Sequence, residues 1–230
     1  NNFAEPDRCE FVSEFAEPYA ARVIAIMLGI PESEWKVIAT ESVTIGLSLG
    51  VTILEDLPRI EAALQRLYDY CDALIADRRA NPRDDFVTTL VNASRAEDGR
   101  LSDTELRDAM VLLIFGGFDT TRNQLGLAMQ SFMAHPDQWR LLAERPDLGG
   151  SAVEEVMRVN PTVRWVTREV VEDFEYEGVA LTAGTTVHLY SESAGTDPRV
   201  FAPGFDLTAE RKPHFGFGGG AHHCLGHFVA

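Results

Sequence analysis

At 230 residues the chain lies at the upper end of what one domain holds, long enough to bury a substantial core. With 45% hydrophobic, 24% charged and 9% aromatic residues it has the make-up of a globular protein, which excludes collagen-like, low-complexity and intrinsically disordered chains. A formal net charge of -16, from 20 Lys+Arg against 36 Asp+Glu, argues against binding nucleic acid or an anionic membrane, because phosphate affinity comes from clustered cations and the basic runs here do not exceed a pair such as Arg78-Arg79.

No stretch of about 18 apolar residues occurs, and the first residues lack the basic and apolar regions of a secretory leader, so a cytoplasmic protein is expected. The 3 cysteines, Cys9, Cys71 and Cys224, are too few, odd in number and too far apart for a disulfide framework. Any cysteine of consequence is therefore a thiol.

Glycine and proline punctuation predicts a long helical part over 1–161 and a shorter mixed part over 162–230, together forming one domain. Pro18 suits a first helical turn, and the apolar positions from Tyr19 to Leu28 predict a buried helix stopped by Gly29-Ile30-Pro31. Helices are expected over Glu32 to Leu49 and Leu57 to Ala80, the second with the spine Ile60, Leu64, Leu67, Tyr68, Cys71 and Ile75, which makes Cys71 a core residue. Ser102-Asp103-Thr104-Glu105 is a capping box, in which serine and glutamate satisfy each other's backbone donors, and it opens a long helix to about Ala134. Pro136 opens a short helix, and a second box, Ser151-Ala152-Val153-Glu154, starts one that ends at Asn160-Pro161. Beyond that, Val163 to Val171, Phe174 to Tyr176 and Thr186 to Tyr190 are β-branched and aromatic and are separated by Gly178 and Gly184, which predicts a small antiparallel sheet. The fold class is mainly α with a minor sheet.

The most informative segment is Phe215-Gly216-Phe217-Gly218-Gly219-Gly220-Ala221-His222-His223-Cys224-Leu225-Gly226. From Gly216 it reads G-x-G-x-x-A, but a dinucleotide loop needs a hydrophobic strand before it and a βαβ unit after it, and here Arg211-Lys212-Pro213 precedes it. As a zinc site it offers His214, His222, His223, Cys224 and His227 without paired ligand spacing. Covalent haem attachment through C-x-x-C-H would need a second cysteine. What remains is a single thiolate on a loop whose glycines let backbone approach a flat cofactor and aim N–H groups at sulfur. A small buried cysteine beside a turn is the bland alternative, disfavoured because so many glycines are costly to order.

Written as F-G-x-G-x-H-x-C-L-G, with Phe217, Gly218, Gly220, His222, Cys224, Leu225 and Gly226, this segment resembles the haem-binding signature of bacterial cytochrome P450 enzymes. Two further motifs follow the family's order. Gly116-Gly117-Phe118-Asp119-Thr120-Thr121 places two costly glycines inside the long helix, where they would make room for a ligand, while Thr120 and Thr121 could draw hydrogen bonds from the helix and open a bulge or water site. It resembles A/G-G-x-D/E-T-T. Glu155 and Arg158, three apart on one helix face, form a pair that alone would be an ordinary surface contact and that resembles the family's E-x-x-R.

The resemblance implies a P450-like helical fold and a haem-thiolate monooxygenase that uses dioxygen to hydroxylate or otherwise oxidise a small hydrophobic substrate. It implies haem b (iron-protoporphyrin IX) with Cys224 as axial ligand and metal-binding residue, with Arg168, His222, Phe217, Gly218, Gly226, Gly116 and Ala230 around the cofactor and Arg168 and His222 on its propionates. Asp119 and Thr120 would be the acid–alcohol pair relaying protons to dioxygen, and Glu155 and Arg158 a buried structural network. Electrons would come from a ferredoxin or flavodoxin served by a NAD(P)H reductase. Leu112, Phe115, Val163, Arg164 and Trp165 are the substrate-facing candidates, with core packing as the equal alternative.

Pro203-Gly204-Phe205-Asp206 stands where the family carries a third network residue in a P-x-R-F-type stretch, so Arg199, Arg211 or His214 is expected to substitute. Leu181-Thr182-Ala183-Gly184 replaces an I-P-A-G turn. By comparison with the family the chain reads as a fragment lacking the N-terminal region and the C-terminal end. That leaves a non-catalytic haem- or metal-binding module as the runner-up and a peroxide-using haem-thiolate enzyme as a third reading.

Overall fold

The computed structural model describes residues 8–95, 101–210 and 212–229. They form two compact units divided between Asn123 and Gln124.

In the first unit, a short π-helical turn over Val12–Ala16 leads into α1 (Glu17–Leu28). Gly29, at φ 70°, ends α1: its N–H donates to the Ile26 carbonyl (3.2 Å) and the next N–H, of Ile30, to Ala25 (2.8 Å). The segment expected to be one helix from Glu32 to Leu49 is instead a 3-10 turn over Glu32–Glu34, α2 (Trp35–Gly46) and a second 3-10 turn over Leu47–Leu49. The following helix, α3 (Ile53–Ala80), begins four residues before Leu57 and carries Pro58 inside it, where the missing N–H leaves the Leu54 carbonyl without its i+4 donor. A helix that the sequence pattern did not reveal, α4 (Phe86–Ser94), is capped by Asp85, whose Oδ1 accepts from the Thr88 N–H at 2.8 Å.

Buried Arg78 joins three of these ends: Nε donates to Asp85 Oδ2 (2.5 Å), Nη2 to the Gly29 carbonyl (2.6 Å), and Nη1 to Asp77. A paired guanidinium in the interior is tolerated because each donor it turns inward finds oxygen.

The capping box forms as expected, with the Ser102 N–H on Glu105 Oε2 (2.8 Å) and the Glu105 N–H on Ser102 Oγ (3.2 Å). It opens α5 (Asp103–Ala134), which runs unbroken and carries no bulge at Thr120. The core of the first unit packs small α1 residues (Ala20, Ala21, Ile24, Ala25) against Ile38, Leu67, Cys71, Met110, Ile114 and Phe118. Cys71 is buried as expected, and desolvation pushes its thiol up to about 12.

In the second unit α6 (Pro136–Glu144) and α7 (Gly149–Val159) follow the end of α5. α7 starts three residues earlier than the Ser151 box predicted, with Leu148 rather than Ser151 at the N-cap, so Ser151 sits inside the helix. A core of Phe132, Ala152, Val156, Phe205 and Leu207 holds this unit, and the Nδ2 of half-buried Asn160 donates to Oγ of buried Ser131 at 3.3 Å. The expected single sheet is instead two two-stranded sheets. β1 (Trp165–Glu169) pairs antiparallel with β4 (Thr186–Tyr190), Trp165 opposite Tyr190. β2 (Phe174–Tyr176) pairs with β3 (Val179–Leu181), a strand too short to show in the pattern, across Glu177-Gly178 at φ 50° and 77°, the positive pair that a two-residue hairpin turn demands. A short α8 (Ser191–Gly195) follows β4.

Candidate active site

Residues 215–226 form a tight loop in the second unit. The Gly218 N–H donates to the Phe215 carbonyl (2.9 Å), the Cys224 N–H to Phe217 (2.9 Å), and the His223 N–H to Gly220 (3.1 Å). Gly218 and Gly220 lie at φ 73° and 66°, a region other residues enter only with strain. At Gly216 a Cβ would stand 2.5 Å from the Met157 carbonyl oxygen of α7, so only glycine lets the loop lie against that helix. Cys224 is a free, exposed thiol on the rim, and a Cβ at Gly226 would approach its Sγ to 3.9 Å. Among the described residues no three His, Cys, Asp or Glu side chains converge as a metal cluster, so the histidines here do not assemble the zinc site the composition allowed.

α7 supplies the brace behind the loop. Arg158 Nε and Nη2 donate to Glu155 Oε2 and Oε1 (2.8 and 2.7 Å), Nη1 to the Gly195 carbonyl (2.7 Å), and Nη2 also to the Gly204 carbonyl (2.8 Å). The Asp206 N–H completes the set on Glu155 Oε1 at 2.9 Å. Both side chains are largely buried, so this is not the solvated surface pair the spacing alone would suggest. Among the described residues the third member is backbone rather than a side-chain cation. Arg199 turns instead to Asp197 and holds that carboxyl at about 2, His214 pairs with Glu154 at 3.1 Å, and Arg211 lies outside the described residues.

Arg168 projects from β1 and bonds only its neighbour, the Thr167 carbonyl (2.9 Å). His222 has no side-chain partner among the described residues. In so acidic a chain, an arginine and a histidine without a carboxylate partner suit an anionic group from outside the protein. The donor set in this unit thus fits haem: one exposed thiol, a glycine-opened loop and two uncommitted donors. Ala230, also expected at the cofactor, lies outside the described residues.

In the first unit the two glycines of α5 divide their work. A Cβ at Gly116 would meet nothing within 4 Å, consistent with room for a ligand, whereas one at Gly117 would stand 2.8 Å from Ile24 Cδ1. Gly117 therefore serves the packing of α1 on α5 and not a ligand. Thr120 Oγ1 donates to the Gly116 carbonyl (2.6 Å), a back-bond that leaves the helix intact. Asp119 is 6% exposed. Its Oδ1 accepts from Arg122 Nη2 (2.9 Å) and its Oδ2 from Asn123 Nδ2 (3.1 Å), while desolvation pushes the carboxyl above the ordinary aspartate value, Arg122 and Asn123 opposing part of that rise. The Asp119–Arg122 pair was missed in the sequence although its i and i+3 spacing offered a signal, whereas the carbonyls of Gly195 and Gly204 left no trace in residue type.

Of the substrate candidates, Leu112 is 68% exposed and Phe115 packs half-buried against the first core. In the second unit Val163 is exposed, Trp165 rests on Tyr190 with ring centroids 6.0 Å apart, and Arg164 reaches Glu192 at 3.6 Å. The exposed residues among these carry no core, which leaves them available to a ligand, whereas Phe115 is shared with packing.

The chain belongs to the cytochrome P450 family, whose family model matches residues 48–145 and 148–230. It is 40% identical over 226 residues to the luteothin monooxygenase of Streptomyces thioluteus, covering 96% of this chain and 55% of that protein. It is 35% identical over 229 residues to a steroid C26-monooxygenase of Mycobacterium tuberculosis, covering 98% and 61%. The crystal structure of CalO2 superposes with a TM-score of 0.88 at 34% identity, over 95% of this chain and 55% of that one. That of P450BioI in complex with an acyl carrier protein ligated to hexadec-9Z-enoic acid gives 0.88 at 29%, over 96% and 57%. The chain thus spans little more than half the length of the relatives it matches. The family's cofactor is haem b held by a thiolate. No helix among the described residues is long and apolar enough to cross a membrane.

Proposed function

We propose that this polypeptide is part of a haem-thiolate monooxygenase that oxidises a small hydrophobic molecule with dioxygen, forming with the rest of its protein one catalytic domain. The observation that carries the proposal is Cys224, a free thiol on a loop shaped by left-handed glycines and braced through Gly216 on the helix of the Glu155–Arg158 pair. Thiolate-bound haem b supplies cleavage of the O–O bond, favoured by electron donation from sulfur.

Cys224 would hold the haem through its sulfur, and Phe217, Gly218 and Gly226 would shape the surface against it. Arg168 and His222 would pair with its carboxylates, and Gly116 would leave room for a ligand beside α5. Thr120 holds a proton at Oγ1 for transfer to dioxygen, and Asp119 receives protons from solvent and restores it. Leu112, Phe115, Val163, Arg164 and Trp165 line the substrate side. An apolar substrate agrees with a relative named for steroid oxidation and one crystallised with a fatty-acyl carrier protein. Electrons arrive from a ferredoxin or flavodoxin and its NAD(P)H reductase, in the cytoplasm.

The test is oxygen incorporation. Haem-loaded protein with a ferredoxin, its reductase and NADPH is offered a panel of steroids and fatty acids under isotopically labelled dioxygen. Label in one product supports the proposal. Haem uptake without labelled product or substrate-dependent NADPH use on any panel member, or with label only when peroxide replaces dioxygen, favours a non-catalytic module or a peroxide-using enzyme instead.

A further inference from the structure

His214 stands immediately before the loop of residues 215–226, and its side chain is only 6% exposed. Both ring nitrogens are engaged. Nε2 lies 3.1 Å from Glu154 Oε2 of α7, and Nδ1 accepts from the Gly216 N–H at 3.0 Å. A neutral imidazole carries one donor and one acceptor, whereas a backbone N–H only donates and a carboxylate only accepts. The two partners therefore select the same tautomer, with hydrogen on Nε2 and the lone pair on Nδ1. Gly216 is also closed from the side of α7, where a Cβ would stand 2.5 Å from the Met157 carbonyl oxygen, so the residue is held from two directions. The thiol is a few bonds away. Gly216 lies inside the turn closed by the Gly218 N–H on the Phe215 carbonyl, and the neighbouring Phe217 carbonyl accepts from the Cys224 N–H, both at 2.9 Å. The His214 and Phe217 rings are 6.2 Å apart between centroids.

We infer that His214, fixed in its Nε2–H tautomer by Glu154, is a positioning residue that sets the Cys224 loop on α7 through its bond to the Gly216 N–H. It acts through Gly216 and Phe217 and touches neither substrate nor cofactor. The essential atom is the acceptor Nδ1, and Glu154 serves it by keeping the hydrogen on the opposite nitrogen. The bearing of this contact on a bound thiolate rests on the proposed function, whereas the contact itself exists in the chain without haem. Two replacements separate the two ring nitrogens. His214→Asn places an amide oxygen near the position of Nδ1 and keeps an acceptor for Gly216, while His214→Gln places an amide nitrogen near that of Nε2 and keeps the donor to Glu154.

The test begins in the chain without haem. Long-range proton–nitrogen NMR of the histidine rings, with His214 assigned by the loss of its signals in His214→Asn, reads the tautomer of the neutral ring, and hydrogen exchange reads the Gly216 amide. The native ring carries its hydrogen on Nε2. The Gly216 amide exchanges about tenfold faster in His214→Gln, the effect of losing one hydrogen bond, and within about twofold of native in His214→Asn. In haem-loaded protein, the red-shifted share of the reduced, carbon-monoxide-bound Soret absorption falls at least about twofold in His214→Gln and the reduction potential shifts, while His214→Asn preserves both. Hydrogen on Nδ1 of the native ring overturns the inference, and this reading decides even where His214→Gln does not fold. A Gly216 amide that exchanges alike in all three proteins, or equally fast in both variants, also overturns it and assigns His214 to packing alone. A faster amide with unchanged absorption and potential overturns the bearing on Cys224. Failure of the native chain to take up haem refutes the proposed function for this polypeptide, while the tautomer and the amide still decide the His214 contact.

Discussion

Replacing Arg158 with methionine keeps the apolar stem and removes four hydrogen bonds, two to Glu155 and one each to the Gly195 and Gly204 carbonyls. Glu155 is then left largely buried with the Asp206 N–H as its remaining contact from this network. Breaking a buried pair by removing one partner costs about 3–5 kcal/mol, because the orphaned charge keeps its desolvation penalty. Against a total stability of about 5–15 kcal/mol this is a large fraction. Removing both charges, as Glu155→Leu with Arg158→Met, costs less than the two single losses summed, since no unpaired ion remains. Trp139 and Trp165 lie in the second unit and Trp35 in the first, so urea unfolding followed by tryptophan fluorescence in a Trp35→Phe background reads the unit that holds the pair. A loss under about 1 kcal/mol for Arg158→Met, the range of exposed ion pairs, would refute the reasoning.

The adjacent glycines of α5 should respond in opposite directions. Gly116→Ala meets open space and gains about 1 kcal/mol of helix propensity, whereas Gly117→Ala gains the same but drives its Cβ into Ile24 Cδ1, an overpacking cost of about 1–3 kcal/mol. Thermal unfolding should therefore rise for the first and fall for the second, and Ile24→Val, which deletes Cδ1, should lessen the second defect. Cys71 gives a pH prediction: its thiol is raised from 9.0 to about 12 in the fold, so its contribution is complete below pH 9 and is lost as pH rises from 9 toward 12, where the unfolded chain releases a proton that the folded chain retains. Over that window the wild type should lose about 1.4 kcal/mol more per pH unit than Cys71→Ala in urea titrations, and parallel slopes would show that burial does not perturb the thiol.

Sequence reading reached furthest where residue type dictates backbone. The Ser102–Glu105 box, the Gly29 stop and the apolar spine through Cys71 each appear as local pattern and as structure. It fell short where partners are distant. Ser151-x-x-Glu154 has the form of a cap, yet Glu154 turns to His214, sixty positions on, and the helix begins at Gly149. α4 escaped because its signal is one aspartate ahead of nine residues. At the site, Cys224, Glu155, Arg158, Asp119 and Thr120 stood out through composition and spacing, but Gly117 was read as ligand space and proves to be a helix contact. The substitution of carbonyls for a third cation beside Arg158 was illegible, because every residue offers a carbonyl and only the fold decides which ones converge.

The proposed function stands on Cys224 holding haem through its sulfur. The reduced, carbon-monoxide-bound absorption spectrum of haem-loaded protein tests it most directly, with Cys224→His measured alongside. A strongly red-shifted Soret band is expected in the native chain and is lost in the variant. A band typical of histidine ligation in both, or the same red-shifted band surviving without Cys224, would contradict it.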